Sequence, residues 1–532
     1  MAKVCLLTLG CKVNQAESEA LSQLLKEKGF VIVNETESPE VIIINTCTVT
    51  GTGSVKSRKL IRKMVKDHPD SMVAVMGCYS QLKPEEAAEI EGVVLVMGTQ
   101  DRRSLPARLK EIMVSSKADR AAEENHTTIH KTSDDNDADN RDPDNIKPMM
   151  LSSERVNSIQ PIREAEGEIK KVSKKAHTAV KRYDRSPIYE ELPIIQSESR
   201  TRAMLKIQDG CSQFCTYCIV PYARGPSRSR DPRNVITEAQ ELLQAGYKEI
   251  ILTGVHIGMY GKDLSGNPMT LAALISELCR LPGMKRLRLG SIEPMEFTSE
   301  LLEVIGANPT IVCPHFHIPL QSGSDRILNR MNRPYTTEEY KELLDRIRYV
   351  VPDAAIAADV MTGFPGETNQ EFQHALTFIE SCCFARIHVF PYSRRPGTPA
   401  ADMPDQIPKA VKAERVRQLI HLGRQSSKRY AAQFNGQPLE VLIENVREDG
   451  SAHGHSRNYL ELLLPAVLGV RLQTDAKEKV DITYHKPTDQ LADEPQDKPQ
   501  DKPQDKPRDK SQWQAGDLIV CPFQETYLLD HE

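Results

Sequence analysis

Strand-like and helix-like segments alternate in two separate blocks along this chain, and that alternation limits its fold more than any other feature. In the first hundred residues, apolar runs at Val4–Leu9, Val41–Asn45, Met72–Met76 and Val93–Met97 are separated by amphipathic patterns at Asn14–Lys28, Ser54–Lys66 and Pro84–Glu89. Short apolar runs spaced by helical stretches predict βαβ units and an open, mostly parallel sheet. The second block starts near Arg202, with strand candidates Ala203–Gln208, Glu249–Thr253, Arg286–Gly290, Phe316–Leu320, Ala355–Met361 and Arg386–Phe390. Helical patterns intervene at Asn234–Ala245, Thr270–Leu281, Ser299–Ile305, Thr336–Tyr349 and Gln370–Ser381, and a longer one follows at Pro408–Gln433. Six consecutive βα units predict a partial (β/α)6 barrel, whose chemistry gathers at the carboxyl ends of its strands.

A chain of 532 residues exceeds one ordinary core. Four regions are expected: an α/β sheet domain over 1–114, a polar insertion over 115–195, the barrel over 196–434, and a small all-β module over 435–532. The insertion includes the acidic stretch His126–Asp144, too poor in apolar side chains to offset its ordering entropy, and is expected to be disordered. In the tail, Val441–Val446, Tyr459–Leu464 and Asp517–Cys521 read as short strands. They are interrupted by an insertion over 474–512 containing PQDKPQDKPQDKPRDK at Pro495–Lys510, a nearly charge-balanced, proline-rich stretch expected to be an extended loop.

With 39% hydrophobic and 27% charged residues the composition is that of a soluble protein, and the net charge of −5 provides no global field for nucleic acid. A polyanion would need a local basic patch. No apolar run approaches the roughly 20 residues of a membrane span, so no membrane association is expected. The start Met1-Ala2-Lys3-Val4 leads into a strand without a secretory pattern, and a cytoplasmic location is expected. Twelve cysteines in a reducing compartment point to metal or redox chemistry before disulfides.

Cys211-Ser-Gln-Phe-Cys215-Thr-Tyr-Cys218 is a C-x3-C-x2-C run directly after the first barrel strand. Three thiolates on one loop can hold three irons of a [4Fe–4S] cubane and leave the fourth open. No fourth cysteine lies nearby. Structural zinc would usually show a second C-x2-C pair, which is lacking. Cys11, Cys47 and Cys78 each follow a predicted strand, at intervals of 36 and 31 residues, about one βαβ crossover. Three matching strand ends on a parallel sheet could gather a second cluster at its carboxyl edge; three separately buried cysteines are the plainer alternative.

These residues carry a resemblance. Cys211–Cys218 resembles the radical S-adenosylmethionine signature. The segments TLGCKVNQAES (Thr8–Ser18), NTCTVT (Asn45–Thr50), VKSRK (Val55–Lys59) and MGCYSQ (Met76–Gln81) resemble the methylthiotransferase family. Lys12-Val13-Asn14-Gln15 and Thr48-Val49-Thr50 favour its threonylcarbamoyladenosine branch over relatives acting on isopentenyladenosine or a ribosomal protein. The resemblance implies two [4Fe–4S] clusters, ligated by Cys11, Cys47 and Cys78 and by Cys211, Cys215 and Cys218, with S-adenosylmethionine at an open iron. It also implies transfer of a methylthio group to C2 of N6-threonylcarbamoyladenosine in the anticodon loop of tRNA. A reductant such as flavodoxin or ferredoxin and a sulfur donor would be partners. The tail resembles the TRAM domain, a small RNA-binding β-barrel, although its insertion departs from that pattern.

Other candidates to touch the cofactor follow barrel strands: Gly254 and His256 after the second, Ser291 and Glu293 after the third, Gln321 after the fourth, Gly363 and Gly366 after the fifth, and Tyr217 in the cluster loop. His315 and His317 should share one face of their strand and are read as interior or rim histidines. Cys5, Cys279, Cys313, Cys382, Cys383 and Cys521 are read as packing residues. Seven Lys or Arg residues at 200–233, against Asp209 and Asp231, could hold phosphates or form a solvated face. An iron–sulfur electron carrier or RNA-binding scaffold is the non-enzymatic alternative.

Overall fold

The computed structural model describes residues 1–116, 176–184, 188–192, 201–265, 268–466 and 513–529. Its first domain is a six-stranded parallel sheet: β1 (Lys3–Thr8), β2 (Val31–Ile32), β3 (Val41–Thr46), β4 (Met72–Gly77), β5 (Val93–Met97) and β6 (His177–Ala179), in the order β2-β1-β3-β4-β5-β6. Every residue of β3 is buried, because helices cover both faces and a strand sandwiched this way must be apolar throughout. Ile43 packs on one face with Leu21, Leu24 and Leu25 of the helix Lys12–Glu27. Ile42 and Ile44 pack on the other with Ile61 and Met64 of Gly51–Asp67. The expected helix Pro84–Glu89 is present as Pro84–Ala88, and a short helix that the pattern does not mark, Cys78–Leu82, precedes it and ends at Lys83 because Pro84 can only start a helix.

The expectation that 115–195 is wholly disordered is corrected at its carboxyl end. β6 forms the edge of the first sheet, and Tyr183 and Tyr189 lie against Arg228 and Arg230 of the barrel. Three residues, two of them polar, carry no apolar run; backbone pairing with β5 holds them, and side-chain pattern does not record it. The acidic stretch His126–Asp144 and the insertion 474–512 lie outside the described residues.

The barrel follows with β7 (Arg202–Lys206), the hairpin β8 (Gln208–Asp209) and β9 (Arg228–Ser229), then β10 (Glu249–Thr253), β11 (Arg286–Leu289), β12 (His315–His317), β13 (Ala355–Thr362) and β14 (Arg386–Pro391). Strands β7-β10-β11 and β12-β13-β14 form two parallel halves, joined by bridges Leu287–Val312 and Ser291–His317. The result is the six-stranded partial barrel the alternation predicts, around one apolar core. β12 stops before the expected Leu320, since Pro319 has no ladder donor.

The tail forms the antiparallel sheet β17-β16-β15-β18, from β15 (Pro438–Val446), β16 (Ala452–Ser456), β17 (Glu461–Leu464) and β18 (Leu518–Pro522). It docks on the barrel through buried charge. Arg286 and Arg288 both pair with Glu249 and donate to the carbonyls of His455, Ser456 and Arg457. Among the described residues no helix is long and apolar enough to cross a membrane.

Candidate cluster sites and the cavity between them

Cys11, Cys47 and Cys78 follow β1, β3 and β4, which are neighbours in one parallel sheet, so their carboxyl ends lie side by side. Side chains tie those ends together. Asn14 Nδ2 donates to the carbonyls of Leu9 (2.8 Å) and Thr46 (3.1 Å), and Thr46 Oγ1 donates to Met76 O at 2.5 Å. Ser57 Oγ accepts from the Cys47 amide at 3.1 Å and donates to its carbonyl at 2.9 Å. Gly77, with φ of 101°, makes the turn into Cys78; a Cβ there would come within 2.5 Å of Asn45 Oδ1 and 2.6 Å of Thr46 O.

The second triad lies on the loop bracketed by β8 and β9. Gly210 (φ 72°) precedes Cys211 so closely under the returning chain that a Cβ would meet Pro226 O at 2.0 Å. Two of the three sulfurs meet polar side chains. His256 Nδ1 lies 3.6 Å from Cys211 Sγ while its Nε2 meets Glu296 at 2.8 Å. Arg333 donates to Cys215 Sγ at 3.3 Å and also pairs with Glu293. In the first triad Arg224 Nε donates to Cys78 Sγ at 3.3 Å.

The donor sets fit iron–sulfur clusters better than single ions. Four sulfurs around one zinc, at about 2.3 Å from it, lie about 3.8 Å apart. The three Sγ atoms of neither triad all fall within 4.8 Å of one another, leaving room for a larger body between them. Burial pushes Cys78 up to about 12 against the pull of Arg224, and burial with Cys215 nearby does the same to Cys218. Such thiols ligate only when a metal displaces their protons.

The run of cations at 200–233 is neither a phosphate surface nor a solvated face. Glu17 accepts from Arg102 (2.8 Å), Lys206 (2.6 Å) and Arg224 (2.8 Å), and Asp209 from Lys206 (2.8 Å), Arg224 (2.9 Å) and Arg228 (2.9 Å). Arg230 pairs with Glu238 and Glu191, and Arg202 with Glu444. Only Arg233, at 83% exposure, faces solvent among the described members. Apart from Asp209, these carboxylates come from outside the run, so a local charge count could not show them. Arg224 also donates to Asn14 Oδ1 at 2.6 Å, locking the sheet domain to the barrel beside both triads. The roles of Glu17, Asn14, Arg224 and Arg333 beside the triads are not legible in the sequence because no local spacing marks them, and Arg224 reads there only as one of seven cations.

A cavity of about 1210 Å³ opens between all three domains. Cys11, Cys47 and Cys78 form one wall; Ile219, Gly254 and Ser291, beside the second triad, form another; Glu444, His453 and Tyr459 of the tail close it. Of the remaining candidates, His256 and Glu293 meet the second triad directly or through Arg333. Gln321, Gly363 and Gly366 contribute nothing to the cavity wall. The two glycines make turns against Lys412 and Arg330, and Gln321 bridges to Val360. Tyr217 packs in a small apolar cluster with Met331, Phe364 and Tyr392. Cys5, Cys279, Cys313, Cys382 and Cys521 are buried as expected of packing residues; Cys383 is exposed, at a left-handed residue (φ 50°) that ends a helix, and is corrected.

The Radical SAM superfamily profile matches residues 205–379, and that of the uncharacterized protein family UPF0004 matches residues 3–98. Threonylcarbamoyladenosine tRNA methylthiotransferase MtaB of Bacillus subtilis (strain 168) is 41% identical over 87% of this chain and 90% of its own. The tRNA-2-methylthio-N(6)-dimethylallyladenosine synthase of Pelotomaculum thermopropionicum is 34% identical over 86% and 90%. A solved structure of the radical S-adenosylmethionine methyltransferase TsrM from Kitasatospora setae, with tryptophan and a cofactor analogue bound, shares the fold at TM-score 0.50 and 14% identity, covering 75% of each chain. The strand-end cysteines, the three-cysteine loop and these likenesses agree: the chain belongs to the tRNA methylthiotransferase family of radical S-adenosylmethionine enzymes, with [4Fe–4S] clusters and S-adenosylmethionine as cofactors.

Proposed function

We propose that this protein transfers a methylthio group to C2 of N6-threonylcarbamoyladenosine next to the anticodon of tRNA, in the cytoplasm. One cluster would be held by Cys11, Cys47 and Cys78, the other by Cys211, Cys215 and Cys218. The observation that carries the reading is the shared cavity, with one triad in its wall and the neighbours of the other in the wall beside it. When bound, the clusters supply the electron and the sulfur, and S-adenosylmethionine supplies the methyl group and the hydrogen-abstracting radical. The chain's own residues orient and enclose. Asn14 and Ser57 fix the strand-end loops, Arg224 and Arg333 place N–H donors on Cys78 and Cys215, and Tyr459 lines the cavity from the tail. We assign Gly254 and Ser291 to the cofactor's side of the cavity and His256 and Glu293 to the surroundings of the second triad, while Tyr217, Gln321, Gly363 and Gly366 line no part of the cavity.

The threonylcarbamoyl substrate is supported by the identity to the Bacillus subtilis relative named for it; flanking RNA would present the unstacked base to the cavity. Nucleoside mass spectrometry of tRNA from a deletion strain tests the reading. Loss of 2-methylthio-N6-threonylcarbamoyladenosine, restored by the wild-type chain and not by Cys78→Ala, is expected. Loss of the methylthiolated isopentenyladenosine instead would assign the relatives' other substrate. An unchanged profile would end the tRNA assignment.

A further inference from the structure

The barrel strands opposite the first triad put a row of polar side chains on the cavity wall. β12, β13 and β14 pair in register, with His317 opposite Ala357, Ala357 opposite Arg386, and Asp359 opposite His388. Alternate residues of a strand share a face, so His315 and His317, Asp359, and Arg386 and His388 all line the cavity. Lys12, next to Cys11, lines it from the sheet domain. Several charges here are already matched: Arg202 by Glu444 at 3.0 Å, Arg288 by Glu249 at 2.7 Å, and Asp359 by His317 at 3.0 Å. Among the described residues Lys12 and Arg386 form no ion pair and no hydrogen bond. His315, which is 8% exposed, also has its Nδ1 buried without a hydrogen-bond partner. Both cations act on His388, which burial, then His317, and then Arg386 and Lys12 push down to about 4 against the pull of Asp359. Two unmatched cations in a half-enclosed cavity are costly unless an anion joins them.

We infer that Lys12 and Arg386 form the recognition site for a carboxylate carried on the substrate base, which selects an acidic N6 substituent over an apolar one; this rests on the substrate proposed above. The guanidinium of Arg386 can take a carboxylate through two N–H donors, and Lys12 adds a point charge. His317, Asp359 and His388 lie within 4.8 Å of one another, a spacing that would also admit a divalent cation. Unmatched Lys12 and Arg386 oppose a cation and favour an anion. An RNA backbone phosphate would satisfy the same charges, so the test separates the two sources.

The test uses anaerobically reconstituted full-length enzyme and three anticodon stem-loop RNAs. They carry N6-threonylcarbamoyladenosine, its methyl ester, and N6-isopentenyladenosine. Wild type should prefer the free acid over the ester by roughly ten- to hundredfold in kcat/KM, the scale of a charged hydrogen bond. In Arg386→Gln and Lys12→Met that ratio should fall towards one, with iron content retained. A wild type indifferent to esterification overturns the inference. So does a loss in the variants that is equal for acid and ester, as a lost phosphate contact would give, or a preference that survives in both. Methylthiolation of the isopentenyl RNA with neither threonylcarbamoyl RNA modified would instead overturn the substrate on which the inference rests.

Discussion

Replacing Glu17 should destabilise the junction of sheet domain and barrel more than replacing Arg224, though Arg224 makes more contacts. The buried network holds four cations, Arg102, Lys206, Arg224 and Arg228, and three carboxylates, Glu17, Asp209 and Glu190. Glu17→Gln leaves four cations facing two carboxylates at a site about 1% exposed, the situation that costs about 3–5 kcal/mol. Arg224→Met leaves three facing three, and removes donors from Asn14 and Cys78 at about 1–3 kcal/mol. The double variant should be less destabilised than the sum, by about 1 kcal/mol or more, because methionine at 224 relieves the excess positive charge that glutamine at 17 creates. Urea unfolding of the anaerobic protein, read at the first transition, measures all three. Burial would raise the Glu17 carboxyl, but Arg102, Arg224 and Lys206 hold it at about 2, and Arg228 and its neighbours keep Asp209 well below its usual range. Lowered folded-state values give stability that is complete above about pH 4.5 and is lost as pH falls towards 2. Glu17→Gln should therefore flatten the acid limb of the stability profile. Arg224→Met costing as much as Glu17→Gln, or strict additivity in the double variant, would refute this charge accounting.

Cys78→Ala and Cys211→Ala should each reduce iron from about eight to about four atoms per chain after anaerobic reconstitution; iron and acid-labile sulfide assays check this, and a loss of both clusters from either variant would contradict separate cradles. Gly210→Ala, which puts a Cβ 2.0 Å from Pro226 O, should lose the second cluster while Cys11, Cys47 and Cys78 keep theirs, giving the same halved iron count with all six cysteines present. Phe523→Ala, at a fully buried tail position, should destabilise the tail module by about 3–5 kcal/mol. The chain's one tryptophan, Trp513, sits in that core, so its fluorescence midpoint in urea reports the loss while the iron content stays the same.

What can be read from the sequence follows from where information about burial is stored. β3 must be apolar on both faces, so Val41–Asn45 stands out by its side chains alone, whereas barrel strands such as β11 and β12 alternate apolar with charged or histidine residues and stand out by their spacing between helical patterns. The cysteines are legible because strand ends on a parallel sheet converge whatever the side chains between them. β6 is not legible, because an edge strand of three residues is held by its backbone. Arg224 and its partners escape for a different reason. A buried ion network has no period, and Glu17 reads as one more acid on an amphipathic helix until the barrel brings Arg224, 207 positions away in sequence, against it.

That network also bears on how the two cysteine triads are held relative to each other. Arg224 touches Cys78 through its Nε and Asp209 through its Nη1, and Asp209 lies two residues before Cys211. One guanidinium thus spans the distance between the first triad and the loop that carries the second. Because it is buried, paired and hydrogen-bonded at every nitrogen, its position changes little without unpairing Glu17 or Asp209. The separation of the two sites is fixed by electrostatics rather than by apolar packing between domains, whose cores are distinct clusters. A conservative lysine at 224 would keep the charge but reach only one of Cys78 and Asp209 at a time, and so would loosen the register between the first triad and the strand that leads into the second.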